Sequence, residues 1–163
     1  MYSKELGILK TAIINEHEGH QFYLMAAEKL PDGDVKNIFL ALAEDEVGHE
    51  KWLKDLYTNL MQHKEPPSNF SPLPGTPGSP GIFRKEHLKN VGSLEVSALH
   101  TGVLMEMASA DYYRTAARQT EIQVLRELYQ LLTDWETAHL RKLEEAYDFA
   151  KEEWWDRQQF SPA

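Results

Sequence analysis

Apolar residues recur every three to four positions through four long segments, and no segment keeps the alternation of a half-buried strand. The first segment covers residues 4–30, with Leu9, Ile13, His20/Tyr23 and Ala27 tracing one face. Pro31-Asp32-Gly33-Asp34 then forms a turn whose aspartates are expected to cap the next helix, residues 35–62. The third helix begins after Gly92-Ser93, with Ser93 the expected N-cap, and reaches about Gln119. The fourth starts near Thr120-Glu121 and continues toward Trp155.

Six of the eight prolines fall between Pro66 and Pro80, interleaved with Gly75, Gly78 and Gly81. Proline removes the amide donor and glycine costs backbone entropy, so this stretch is not regular helix, although residues 82–90 are expected to form one short helix. Short turns make each flanking pair an antiparallel hairpin, and the long connection can cross the length of a bundle. The pattern predicts one all-α domain over residues 1–163, a four-helix bundle. Hairpin 1 covers about 3–63, the crossover about 64–92 and hairpin 2 about 93–157.

The two hairpins repeat each other at an offset of ninety residues. Glu16 matches Glu106, Phe22-Tyr23 matches Tyr112-Tyr113, and Ala26-Ala27 matches Ala116-Ala117. Leu42 matches Leu132, Glu44 matches Asp134, Leu53 matches Leu143, and Glu46-x-x-His49 returns as Glu136-x-x-His139. Residues three apart on a helix share a face, so each Glu-x-x-His aims a carboxylate and an imidazole at one point. Glu16, Glu46 and Glu106 each follow an apolar run, and no lysine or arginine lies close to them in the first three helices. Buried carboxylates without compensation cost several kcal/mol each, and a metal ion is the economical counter-charge. Four glutamates and two histidines supply ligands for two ions.

Composition removes most rivals. At 163 residues the chain suits a single domain with a substantial core. A net charge of −9 argues against nucleic acid and anionic membrane as partners, since both want a basic patch. The absence of cysteine excludes disulfides, zinc–thiolate sites, iron–sulfur clusters and a thiol nucleophile. No His-Glu-x-x-His pattern supports a zinc hydrolase, and the prolines around Gly75 and Gly78 remove the amides that a phosphate cradle uses. The N-terminus lacks the apolar core of a signal peptide and no apolar run reaches membrane-spanning length, so a soluble cytoplasmic protein is expected.

Glu16 with Tyr23 seven residues later, Glu46-x-x-His49, Glu106 with Tyr113 seven later, and Glu136-x-x-His139 together resemble the rubrerythrin branch of the ferritin-like di-iron carboxylate proteins. Phe22-Tyr23-Leu24-Met25-Ala26-Ala27-Glu28 and Ala43-Glu44-Asp45-Glu46 add to the resemblance, which covers nearly all of the chain except the Pro/Gly connection. It implies a ferritin-like bundle holding two iron ions, with manganese or another divalent metal acceptable to the same ligands. Glu46 and Glu136 are then bridges, Glu16 and Glu106 terminal ligands, and His49 and His139 complete one ion each. Tyr23 and Tyr113 are expected to hydrogen-bond a ligand carboxylate from the neighbouring helix, or to be core packing.

The implied activity is oxidation of ferrous iron coupled to reduction of hydrogen peroxide or dioxygen, in oxidative-stress defence. The alternative is non-catalytic iron binding, storage or delivery. A homodimer and an external electron donor, rubredoxin-like or other, are also implied. Two departures qualify the resemblance. Ser109 stands where peroxidase-type members carry a further carboxylate, and a chain without cysteine has no rubredoxin domain of its own. His20 is a candidate extra ligand, weighed against an ordinary hydrogen-bonded histidine. Gly19 and Ser109 are read as leaving room for an oxidant, against plain helix packing. Asp45 and Asp134 are candidates to orient the histidines, against simple solvation. Trp154-Trp155 suggests an oligomer contact, and Trp52 and Trp135 have no assigned chemistry.

Overall fold

The structure, a computed structural model, describes residues 2–62, 65–66 and 91–159. The crossover, with the short helix expected over residues 82–90, lies outside the described residues. Four α-helices account for the rest: α1 (Ser3–Lys29), α2 (Asp34–Met61), α3 (Ser93–Gln119) and α4 (Gln123–Arg157). The expected all-α four-helix bundle is what forms, and no described residue is in a strand.

Contacts fix the topology. Along α1 and α2, Glu16 meets His49, His20 meets Ala43 and Tyr23 meets Phe39, so the two run antiparallel. His100 against Tyr147 and Glu106 against His139 show the same for α3 and α4. Across the hairpins, Tyr23 meets Glu106 while Ile8 meets Tyr112, so α1 and α3 are antiparallel as well. It follows that α2 and α3 point the same way. The chain leaves α2 at one end of the bundle and enters α3 at the other, about 40 Å away at ~1.5 Å per helical residue.

The core divides in two. One cluster gathers Phe39, Leu42, Leu99, Val103 and Leu143, and the other gathers Leu9, Leu53, Leu125, Leu128 and Leu132. The ninety-residue repeat sets this out, because Leu9 matches Leu99, Leu42 matches Leu132 and Leu53 matches Leu143. On α1 the buried face runs through Glu5, Leu9, Ala12, Glu16, Gly19, Tyr23 and Ala27. Ile13 lies beside that line and is only partly buried.

Local capping departs from expectation in two places. Ser93 opens α3 as its first residue, and the N-cap is Gly92, whose N–H donates to Glu95 Oε2 at 3.1 Å. The reach of Glu95 back over the first turn satisfies an amide that the serine was expected to serve. Asp34 likewise begins α2 and does not precede it, and Asp32 pairs with Lys36 at 2.8 Å. At the other end of the bundle, buried Glu5 accepts hydrogen bonds from Thr120 Oγ1 (2.7 Å) and Tyr129 OH (3.2 Å). That carboxylate ties the start of α1 to the α3–α4 turn. Sequence reasoning passed over Glu5 and Glu95, although they are themselves a pair ninety residues apart.

Candidate metal centre

Between the two apolar clusters lies a polar layer to which every helix contributes. Glu16 comes from α1, Glu46 and His49 from α2, Glu106 from α3, and Glu136 and His139 from α4; all six are buried. They form two groups of four in which one ligand atom per residue lies within 4.8 Å of all the others. One group is Glu16, Glu46, His49 and Glu136, and the other is Glu46, Glu106, Glu136 and His139. Glu46 and Glu136 belong to both. The helical periodicity accounts for the convergence, since each Glu-x-x-His puts two donors on the face its hairpin buries.

These groups suit cations and little else. Two carboxylate charges 4.8 Å apart repel by about 3–4 kcal/mol per pair at an effective dielectric near 20. A hydrogen bond to a charged group returns about 1.5–3 kcal/mol. Tyr23 donates to Glu106 and Tyr113 to Glu16, so each phenol crosses to the opposite hairpin. Two phenols do not balance four carboxylates. Glu46 Oε1, Glu106 Oε2, Glu136 Oε1, His49 Nε2 and His139 Nδ1 are all buried without a hydrogen-bond partner. The carboxylate oxygens and His139 Nδ1 that converge here without a partner among the described residues fit divalent cations, with histidine and carboxylate as the ligand types iron and manganese accept.

Electrostatics tells the same story for the metal-free protein. Burial and the charges of Glu16 and Glu136 hold Glu46 well above the ordinary carboxyl range. Burial and Glu136 do so for Glu106, and burial and Glu16 raise Glu136. Burial also opposes ionisation of Glu16, but the hydrogen bond and charge of His49 outweigh it and pull Glu16 below its usual value. Burial works against protonation of His49, and Glu16 with Glu136 overcomes it, so that imidazole is raised. The phenols of Tyr23 and Tyr113 are pushed well up by burial and their carboxylate neighbours, which keeps them donors.

The remaining candidates separate. His20 Nδ1 lies 2.9 Å from the Ala43 carbonyl and donates to it, and His20 belongs to neither group. Asp45 Oδ2 sits 3.1 Å from His139 Nε2, as a residue orienting that ring would. Asp134 does not do the same for His49. It is exposed and lines a cavity of about 390 Å³ between α3 and α4 with Arg114, Arg118 and Arg126. The residue facing His49 is Trp135, whose ring stacks on the imidazole at 4.6 Å. Trp135 is matched with Asp45 in the repeat, and that pairing was the signal for its place. Gly19 and Ser109 both line a groove of about 410 Å³ between α1 and α3, which reaches Glu46, Glu106 and Glu136. A Cβ on Gly19 would come within 3.3 Å of Glu46 Oε2.

Fold and site together define an all-α four-helix bundle with carboxylate–histidine groups able to hold metal. Residues 7–73 match the family model for rubrerythrin, to which this part of the chain is similar. That match covers the first hairpin; the second carries the same pattern through the repeat. A hypothetical protein of known structure from Pyrococcus furiosus is 24% identical, with 89% of each chain covered and a TM-score of 0.66. That likeness bears on the fold. No curated protein matches the chain.

Proposed function

We propose that the chain is a di-iron carboxylate oxidoreductase that couples oxidation of ferrous iron to reduction of hydrogen peroxide or dioxygen. The observation that carries this reading is the pair of overlapping four-residue groups sharing Glu46 and Glu136. In it, Glu46 and Glu136 would be shared by two ions, Glu16 and His49 would complete one, and Glu106 and His139 would complete the other. A bound iron pair supplies two electrons, one from each ion, to a single oxidant. Four carboxylates neutralise two divalent ions, which lets the reduced centre stay buried.

The protein's own residues do the rest. Tyr23 and Tyr113 hold Glu106 and Glu16 from across the bundle, which fixes the terminal ligands in direction. Asp45 holds His139 in one tautomer, with Nδ1 toward Glu46 and Glu106. The apolar clusters on both sides keep bulk water from the layer, and the groove at Gly19 and Ser109 is the path by which a small oxidant reaches it. These 163 residues hold no cysteine for a rubredoxin-type iron site, and an external reductant is part of the proposal. A homodimer is part of the same proposal.

Anaerobic loading with ferrous iron, followed by stopped-flow mixing with peroxide or dioxygen, tests the reading. The expected result is about two irons per chain and rapid oxidation, repeated over many turnovers with an added reductant. Failure to retain iron refutes the centre. A single slow oxidation followed by iron release refutes the enzyme and leaves iron handling.

A further inference from the structure

The two halves of the centre differ on the far side of the histidine rings. His139 turns Nδ1 toward Glu46 (3.5 Å) and Glu106 (3.7 Å), and its Nε2 meets Asp45 at 3.1 Å. His49 turns Nδ1 toward Glu16 (3.1 Å) and Glu136 (3.6 Å), and its Nε2 is buried without a partner. Position 45 corresponds to position 135 in the repeat, where the chain carries tryptophan. The Trp135 ring lies on His49 with 21° between planes, and its own Nε1, a donor, is also buried without a partner. Among the described residues, none accepts the proton that His49 Nε2 carries when Nδ1 faces a metal.

At the ligands the halves agree. Each terminal glutamate accepts from a tyrosine of the other hairpin, and both groups share Glu46 and Glu136. The halves also differ at Gly19 and Ser109 on the groove side, but behind the histidine rings the difference is the one between Asp45 and Trp135. An imidazole that donates its second N–H to a carboxylate is held in one orientation and made a more basic ligand. His139 has that support and His49 does not.

We infer that the two metal positions are inequivalent: the Glu106–His139 position binds first and retains its ion, and the Glu16–His49 position is the exchangeable one. Asp45 is the positioning residue that sets the difference. The inference rests on the di-metal reading above. Loss of such a partner typically costs about 10–100-fold in metal affinity, and the two binding steps differ by that factor.

The test uses manganese, which reports binding without turnover. Metal-free protein receives one equivalent of Mn(II), and anomalous diffraction reads the occupancy of each position while a chelator competition reads the two affinities. The expected result is a dominant peak beside His139 and two resolved steps. Asp45→Ala brings the steps together and evens the peaks, whereas Asp45→Asn, which keeps an acceptor, preserves most of the filling order. Trp135→Asp, if it folds, tightens the second step. Equal peaks in the native protein overturn the inference, as do two unchanged steps in Asp45→Ala. Metal at neither position overturns the di-metal reading itself, and the inference with it, so the two failures are distinguishable.

Discussion

Replacing Gly19 by alanine should raise the stability of the metal-free protein and lower that of the metal-loaded one. Gly19 is buried mid-helix in α1, where glycine is about 0.8–1.0 kcal/mol less favourable than alanine. The added Cβ would stand 3.3 Å from Glu46 Oε2 and 3.5 Å from its carboxyl carbon, so the carboxylate must give way by a few tenths of an ångström. Without metal it does so at little cost. Its Oε1 has no partner among the described residues, the charges of Glu16, Glu136 and Glu106 already press on it, and only its contact with Glu16 has to adjust. The helix gain then survives and lifts the melting temperature by about 2–4 °C for a domain of this size. With two ions in place the same carboxylate is held by both, and the methyl group competes with the ligand geometry. Each tenfold loss of affinity removes about 1.4 kcal/mol of the stabilisation that metal confers. Calorimetry of both proteins, with and without Mn(II), should show melting shifts of opposite sign. Shifts of the same sign in the two states would refute the proximity argument.

Glu46→Ala or Glu136→Ala should abolish the paired centre, leaving at most isolated ions; two coupled ions in either variant, read by electron paramagnetic resonance, would contradict the bridging assignment. Tyr113→Phe should weaken metal binding by about 10–100-fold by removing the donor to Glu16, and unchanged competition titrations would count against that role. The metal-free protein should lose stability as pH rises. Glu46, Glu106 and Glu136 are held above their ordinary values, so their contribution is full below the usual glutamate range and is lost as pH climbs through the folded-state values. Raised His49 adds to the loss on its way up, and lowered Glu16 opposes it, being lost only on acidification. Each decade over which a buried carboxyl keeps a proton the unfolded chain has released costs about 1.4 kcal/mol. Urea melts at several pH values should show this decline in the metal-free protein and its reversal with metal.

The bundle was legible because helical spacing and the ninety-residue repeat point to the same faces. Glu-x-x-His needs only periodicity to predict convergence, and the six residues do converge. Capping was less legible. Ser93 is a good N-cap by residue type, yet Glu95 satisfied the amide of Gly92 from inside the helix. Asp134 and Asp45 looked interchangeable because both precede a ligand motif. Their offsets differ by one residue, about 100° around a helix, which sends Asp134 to the surface and Asp45 to His139. Glu5 illustrates a further limit. Its burial depends on Thr120 and Tyr129, more than a hundred residues away, and no local pattern announces them.

The crossed phenols carry a consequence for how the two hairpins complement each other. Tyr23 of the first hairpin serves Glu106 of the second, and Tyr113 of the second serves Glu16 of the first. This reciprocity is the rule of an isologous contact, in which each partner gives what it receives. A single hairpin bearing one tyrosine, two glutamates and one histidine would meet the same rule by pairing with its own copy. With both halves in one chain, position 135 can differ from position 45, which two copies of one hairpin could not do.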